Sequence, residues 1–206
     1  IFTLVDDGLT EKLVFGCKKL QVPCIDLLNP VLSQLGNYLG IARERRPGSQ
    51  HVMDADYFSK IAALHFVLAH DDGQSMHDID DADVVLMGVS RTTKTPTCIY
   101  LANRSIKAAN VPIVPGITLS DEILQAKRPL IVGLTKDPRR LVQIRRQRLK
   151  MQGHLEQSDY IDPDAVAQEI REAKRLYAHH RWPVIDVTRK SVEETAATIL
   201  HLYNDR

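Results

Sequence analysis

Residues 83–97 read Asp83-Val-Val-Leu-Met-Gly88-Val-Ser-Arg-Thr-Thr-Lys94-Thr95-Pro96-Thr97, and this stretch decides the fold class. An apolar run, Val84 to Met87, meets Gly88; Thr93-Lys94-Thr95 follows after four residues and leads into a segment of good helix formers. Strand, loop and helix in that order are what a phosphate-binding loop requires. The glycine permits a tight turn, and successive backbone N–H groups of Val89, Ser90, Arg91, Thr92 and Thr93 face an anion together with the helix N-terminus. Lys94 reaches phosphate oxygens, and Thr95 is placed to ligate magnesium. The stretch departs from G-x-x-x-x-G-K-[ST] at one position, where Thr93 replaces the second glycine. The competing reading is an ordinary βα turn that happens to contain Lys-Thr.

Working outward, the pattern on both sides is alternating strand and helix, which predicts a parallel α/β sheet. Downstream, a helix is expected from Lys94 to about Ala109, strands at Val111–Val114 and Pro129–Leu134, and a short helix from Ser120. Asp137-Pro138 and Asp162-Pro163 each start a helix with proline at its first position, the second running to about His179. Trp182–Val187 is the last strand, and Ser191 with Glu194 forms a capping box for a terminal helix. In the first of these proline-led helices Leu141, Ile144 and Leu149 face inward. Arg139, Arg140, Arg145, Arg146, Arg148 and Lys150 surround them, as a solvated face or as a lid that neutralises phosphate or an acidic partner.

Upstream, Asp54 or Asp56 caps a helix whose apolar stripe is Phe58, Ile61, His65 and Leu68. It ends in His70-Asp71-Asp72-Gly73, where two carboxylates oppose the helix dipole. Either Asp71 and Asp72 hold magnesium or a phosphoacceptor hydroxyl, or the segment is a solvated acidic turn. Asp78, Asp80, Asp81 and Asp83 read as a solvated loop. Before residue 50, strands at Phe2–Val5 and Val22–Leu27 and helices from Thr10 to Leu20 and from Pro30 to Leu39 predict a smaller α/β N-terminal domain. Charge, proline and glycine in residues 40–50 mark a linker, which gives domains 1–50 and 51–206. Ile1 is not a start methionine and Ile1–Val5 reads as a strand entered partway, so the N-terminal domain is expected to be truncated.

Composition narrows the function. With 206 residues and 44% hydrophobic character the chain can bury a sizeable core, and a formal net charge of +1 argues against a generally basic nucleic-acid binder. Cys17, Cys24 and Cys98 lack C-x-x-C spacing and fit a reducing compartment. No apolar run approaches the roughly 18 residues of a membrane span and no signal peptide is visible, so a cytoplasmic location without membrane is expected. The histidines form no metal signature, and no nucleophile elbow is present. The residues alone lead to a P-loop phosphotransferase with Lys94 and Thr95 on phosphate and magnesium and Asp72 or Asp71 as proton acceptor.

Gly88-Val-Ser-Arg-Thr-Thr-Lys-Thr-Pro96, with His70-Asp-Asp-Gly73, Ala82-Asp-Val-Val85, Arg46-Pro-Gly48 and Tyr57-Phe58, resembles the pyruvate, phosphate dikinase regulatory protein family. Phosphoenolpyruvate synthase regulatory proteins share these features. The resemblance continues through Asn110-Val-Pro112, Gly133-Leu-Thr135, Asp137-Pro138 and Trp182 to Thr188, and so covers nearly the whole chain. It implies a P-loop kinase-like parallel-sheet domain and a bifunctional serine/threonine kinase and phosphorylase. Such proteins use ADP to phosphorylate a threonine of the dikinase, and remove that phosphate with inorganic phosphate to give pyrophosphate. Carried over, Gly88 to Thr95 would hold ADP or the attacking phosphate, and Asp72 would be the general base. The family usually has a longer N-terminal part. The dikinase is the expected protein partner, with the synthase as alternative, and a homodimer is left open. A small-molecule nucleotide kinase and a nucleotide-binding switch without catalysis are the other readings.

Overall fold

A computed structural model describes residues 1–40, 55–153 and 159–206. The chain divides into two compact units, Ile1–Met53 and Asp54–Arg206.

In the first unit the helices are α1 (Asp7–Lys19) and α2 (Leu28–Leu39). Asp6, not Thr10, caps α1: its carboxylate accepts from Leu9 N at 2.8 Å, while the Thr10 hydroxyl donates to Asp6 O. The strands expected at Phe2–Val5 and Val22–Leu27 reduce to one parallel bridge between Phe2 and Asp26. Pro23 explains part of this, because it has no N–H to donate in the middle of the second segment. Gly40 ends α2 in the left-handed conformation, φ 65°. Of the expected linker 40–50 all but Gly40, and Asp54 as a helix cap, lie outside the described residues.

The second unit is built on four parallel strands, β1 (Val84–Gly88), β2 (Ala108–Pro112), β3 (Leu130–Thr135) and β4 (Val184–Asp186), in the order β2-β1-β3-β4. Gly88 stands opposite Pro112 on one side and Leu134 on the other. Period-2 alternation divides the strand side chains between two faces. Val84, Leu86, Ala108, Val132 and Leu134 pack with α3 (Ala55–Ala69), α4 (Lys94–Ala102) and α8 (Val192–Asn204). Val85, Met87, Ala109, Val111 and Ile131 pack with α5 (Asp121–Gln125), α6 (Pro138–Met151) and α7 (Pro163–His180). The result is a three-layer α/β arrangement consistent with a P-loop kinase-like fold. Gly133 lets Tyr177 of α7 lie flat on the sheet, since a Cβ there would be 2.6 Å from its ring.

Several expectations change. α4 stops at Ala102, because Ala108–Pro112 is drawn into the sheet against β1, and the strand expected at Val111–Val114 starts earlier. In α3 the buried side is Ala63 and Val67, followed by His70, whereas Phe58, His65 and Leu68 are exposed. The small residues win because α3 packs closely on α4 and β2. β4 is limited to Val184–Asp186. Asp137, Asp162 and the Ser191–Glu194 box cap their helices as expected. Among the described residues no helix is long and apolar enough to cross a membrane.

Candidate active site

β1 and β3 are neighbours whose connections leave in opposite directions, β1 toward β2 and β3 toward β4. In open parallel sheets the crevice beyond the carboxyl ends of such strands is where ligands bind. A cleft of about 430 Å³ opens there. Ser90, Arg91, Thr93, Lys94 and Thr95 line it, and so do Asp72, Asn110 and Lys136.

The loop from Val89 to Thr93 starts at a glycine for a steric reason. A Cβ on Gly88 would lie 2.6 Å from Thr92 Oγ1 and 3.1 Å from Leu134 O. Thr92 is buried, its hydroxyl donating to Val89 O at 2.9 Å, so Val89 and Thr92 shape the loop from beneath and leave the cleft to their neighbours. Thr93 stands at φ 63°, ψ 24°, the left-handed region in which a glycine is ordinarily found. Arg91, at φ 73°, is left-handed as well.

Lys94 opens α4 and is 6% exposed; its Nζ donates to Val89 O at 3.1 Å across the loop. Burial pushes its pKa down to about 8, while the carboxylates of Asp72 and Asp71 act in the opposite direction. An anion in the cleft would give this ammonium the counter-charge that water no longer supplies.

The two aspartates separate in role. After α3 the chain makes a tight 3-10 turn, Asp71–Gly73, with Asp72 left-handed at φ 51°. Asp71 Oδ1 accepts from the Thr95 hydroxyl at 3.0 Å and also from Asn110 Nδ2. Asp72 is exposed and lines the cleft, touched at 3.3 Å by the same Asn110 amide. His70 anchors the turn: it is 1% exposed, stacks on Phe66 at 3.8 Å, and its two ring nitrogens face Phe66 O and Asp78 Oδ1, each at 2.8 Å. His70 O accepts from Asn110 N at 3.0 Å, which ties the turn to β2.

In the acidic stretch 78–83 Asp80 and Asp81 are exposed, as a solvated segment requires, while Asp78 and Asp83 are partly covered, and Asp78, Asp80 and Asp83 have partners that the sequence reading did not include. The His70 hydrogen bond holds the Asp78 carboxyl below its ordinary range, and backbone N–H groups of Arg128 and Lys127 do the same for Asp80. Asp83 accepts from Lys107 N and from the Tyr203 hydroxyl. These carboxylates fasten loops because backbone donors and a histidine lie opposite them.

Arg145 departs from the basic cluster of α6, which is expected as a solvated face or as a lid. It is 1% exposed and forms a two-pronged ion pair with Glu169 of α7, at 2.8 and 3.0 Å. The same guanidinium donates to Ser90 O of the loop at 3.2 Å and to Tyr160 O at 3.1 Å, with the Tyr160 ring 4.5 Å from it. Tyr160 reaches back with its hydroxyl to Ser90 Oγ and Arg91 Nε. Arg139, Arg140, Arg146 and Arg148 remain exposed.

Lys136 escapes the sequence reading, Asn110 enters it without a role, and Arg145 enters it only as one member of the basic cluster. Lys136 and Asn110 had a readable signal, a polar side chain near the carboxyl end of an apolar parallel strand. Nothing in the sequence sets Arg145 apart from the other arginines of that cluster. Among the described residues no group of three or more His, Cys, Asp or Glu side chains could hold a metal by itself.

Comparison with known proteins adds the following. A sequence model of a family described as kinase/pyrophosphorylase matches residues 1–200. A Caulobacter vibrioides protein is 54% identical over 200 residues, covering 97% of this chain and 64% of that protein. A Paramagnetospirillum magneticum protein is 50% identical over 202 residues, covering 98% of this chain and 65% of the relative. A Rhizobium meliloti protein is 51% identical over 203 residues, 98% of this chain and 74% of the relative. All three carry the provisional name pyruvate, phosphate dikinase regulatory protein. The chain thus spans less than two thirds of the length of the first two.

Proposed function

This chain belongs to the kinase/pyrophosphorylase family, and on that premise we propose that it regulates pyruvate, phosphate dikinase by phosphorylating one of its threonines with ADP and by removing that phosphate with inorganic phosphate. The observation that carries the reading is the contact between the phosphate loop and the aspartate turn, Thr95 Oγ1 to Asp71 Oδ1 at 3.0 Å, with Asp72 beside it on the cleft wall.

In the forward direction the threonine oxygen attacks the β-phosphorus of ADP. The bond from that phosphorus to the bridging oxygen breaks, AMP leaves, and Asp72 accepts the hydroxyl proton. In the reverse direction an oxygen of inorganic phosphate attacks the phosphothreonine phosphorus. The bond to the threonine oxygen breaks, Asp72 returns the proton to it, and pyrophosphate leaves. Lys94 and the loop N–H groups from Val89 to Thr93 neutralise the phosphate in both directions, so one cleft serves both reactions.

The donor set suits magnesium. Thr95 lines the cleft, Asp71 lies directly behind it as the acceptor of its hydroxyl, and Asn110 Oδ1 is buried without a hydrogen-bond partner in the same group. Magnesium takes one or two carboxylates and completes its shell with water and substrate phosphates, so no larger protein cage is needed. When bound it would neutralise phosphate oxygens; Thr95 and Asp71 would hold it. Asp72, exposed and free of the Thr95 contact, is the better proton acceptor.

The test is mass spectrometry of purified dikinase incubated with the protein and ADP, then with phosphate and no nucleotide. Threonine phosphate that appears with ADP and leaves as pyrophosphate is the expected result. Modification of phosphoenolpyruvate synthase alone would change the target. No modification of either, with phosphorylation of free nucleotides, would replace the reading by a small-molecule kinase.

A further inference from the structure

Lys136 follows β3 directly and is 6% exposed. It lines the cleft, yet among the described residues its ammonium makes no hydrogen bond and no ion pair. Burial lowers its pKa and the Arg140 guanidinium lowers it further, with Asp186 opposing. Its neighbour Thr135 has a buried hydroxyl that also lacks a partner.

The turn that carries Lys136 is fixed from both sides. Val187 N donates to Thr135 O and Asp137 N donates to Thr188 Oγ1, each at 2.8 Å. Thr188 in turn donates to Asp186, and Asp137 caps α6. The backbone of the turn is thus fixed and most of the Lys136 side chain is covered, while its ammonium reaches the cleft without a partner among the described residues, so an anionic ligand there meets a cation that is free to pair with it. Its position supports this. Leu134 is in register with Gly88, so Lys136 and the phosphate loop rise from adjacent strand ends at the same crevice.

We propose that Lys136 forms a second phosphate subsite next to the one built by Lys94 and the loop, so that the cleft takes a ligand of two linked phosphates, one at each lysine. The inference rests on the phosphotransfer reading of the cleft and names its ligand class: a diphosphate, whether inorganic pyrophosphate or the diphosphate of a nucleotide. Lys136 then meets the phosphate farther from the loop lysine, and the pair of cations gives a diphosphate an advantage over a single phosphate.

Titration calorimetry with inorganic pyrophosphate and with inorganic phosphate, magnesium present, tests this without any protein substrate. The wild-type chain should bind pyrophosphate at least about tenfold more tightly than phosphate. Lys136→Met should lose that preference and keep phosphate binding at the loop within about threefold, whereas Lys136→Arg should keep most of it. Without ligand, Lys136→Met should melt no lower than wild type, since among the described residues no hydrogen bond or ion pair is lost with the ammonium. A Lys136→Met chain that binds pyrophosphate as wild type does, that melts well below it, or a wild-type chain with no preference for pyrophosphate, would overturn the subsite. Lys136-dependent pyrophosphate binding with an unmodified dikinase would instead retire the proposed function and leave the subsite standing.

Discussion

The hydroxyl of Thr95, one residue past the loop lysine, donates to Asp71 Oδ1 at 3.0 Å across 24 positions of sequence. This bond divides the Asp71-Asp72 pair into a carboxylate committed to the loop and one open to the cleft. Asp72→Asn should therefore lose threonine phosphorylation by a factor on the order of 10² to 10⁴, with ADP affinity within about threefold of wild type. Asp71→Asn should weaken ADP binding and raise the magnesium requirement. Rates and ADP titrations of the two variants check this; interchange of the two phenotypes would move the base to Asp71.

Lys94 makes stability depend on pH. Its folded pKa of about 8 lies below the ordinary 10.5, so between those values the unfolded chain binds more protons. Stability from this group rises as pH climbs through that window, and below about pH 8 the buried ammonium costs on the order of 3 kcal/mol. Cys98 and Tyr177, both raised by burial, act with the opposite sign above their ordinary values of 9.0 and 10.0. The difference between wild type and Lys94→Met isolates the lysine. In urea unfolding the advantage of Lys94→Met should shrink from pH 7 toward pH 10, and a constant difference would contradict the buried-ammonium account.

Arg145 and Glu169 bind α6 to α7 and, through Ser90 O, to the phosphate loop. Glu169→Ala leaves a buried guanidinium without its counter-ion and should destabilise by about 3–5 kcal/mol in urea unfolding. A double variant, Arg145→Met with Glu169→Leu, should recover a good part of that, because it removes both charges together. ADP affinity should stay weakened in the double variant, since Ser90 O has lost its donor.

Thr93 occupies a left-handed conformation at φ 63° that a β-branched residue adopts at a cost. Thr93→Gly should raise stability by about 1 kcal/mol, net of the extra freedom that glycine gives the unfolded chain. Gly88→Ala should do the reverse, since its methyl would meet Thr92 Oγ1 at 2.6 Å and Leu134 O at 3.1 Å. Melting temperatures of the two variants read both effects.

What the sequence made legible was local. Gly88, Lys94 and Thr95 lie within eight residues, and strand, loop and helix chemistry are written in that order. Asp71 and Asp72 were legible as a pair and not as separate roles, because the difference comes from Thr95 and Asn110, which lie 24 and 39 positions away. Arg145 reads with its cluster, as a solvated face or as a lid, and could not be singled out because its counter-ion sits on another helix. The α3 stripe was misassigned for a related reason: periodicity marks a face as apolar, but close helix packing selected Ala63 and Val67. The acidic run 78–83 is solvated at Asp80 and Asp81 as read, but the partners of Asp78, Asp80 and Asp83, namely His70, Lys107 and the backbone at 127–128, come from other elements and were not legible.

The central claim is that one cleft performs both reactions, and Lys94→Ala measured in both directions tests it most directly. The account predicts that phosphothreonine formation from ADP and pyrophosphate release from phosphothreonine and phosphate fall together, each by at least about 10². Loss of one reaction with the other near its wild-type rate would contradict a shared site.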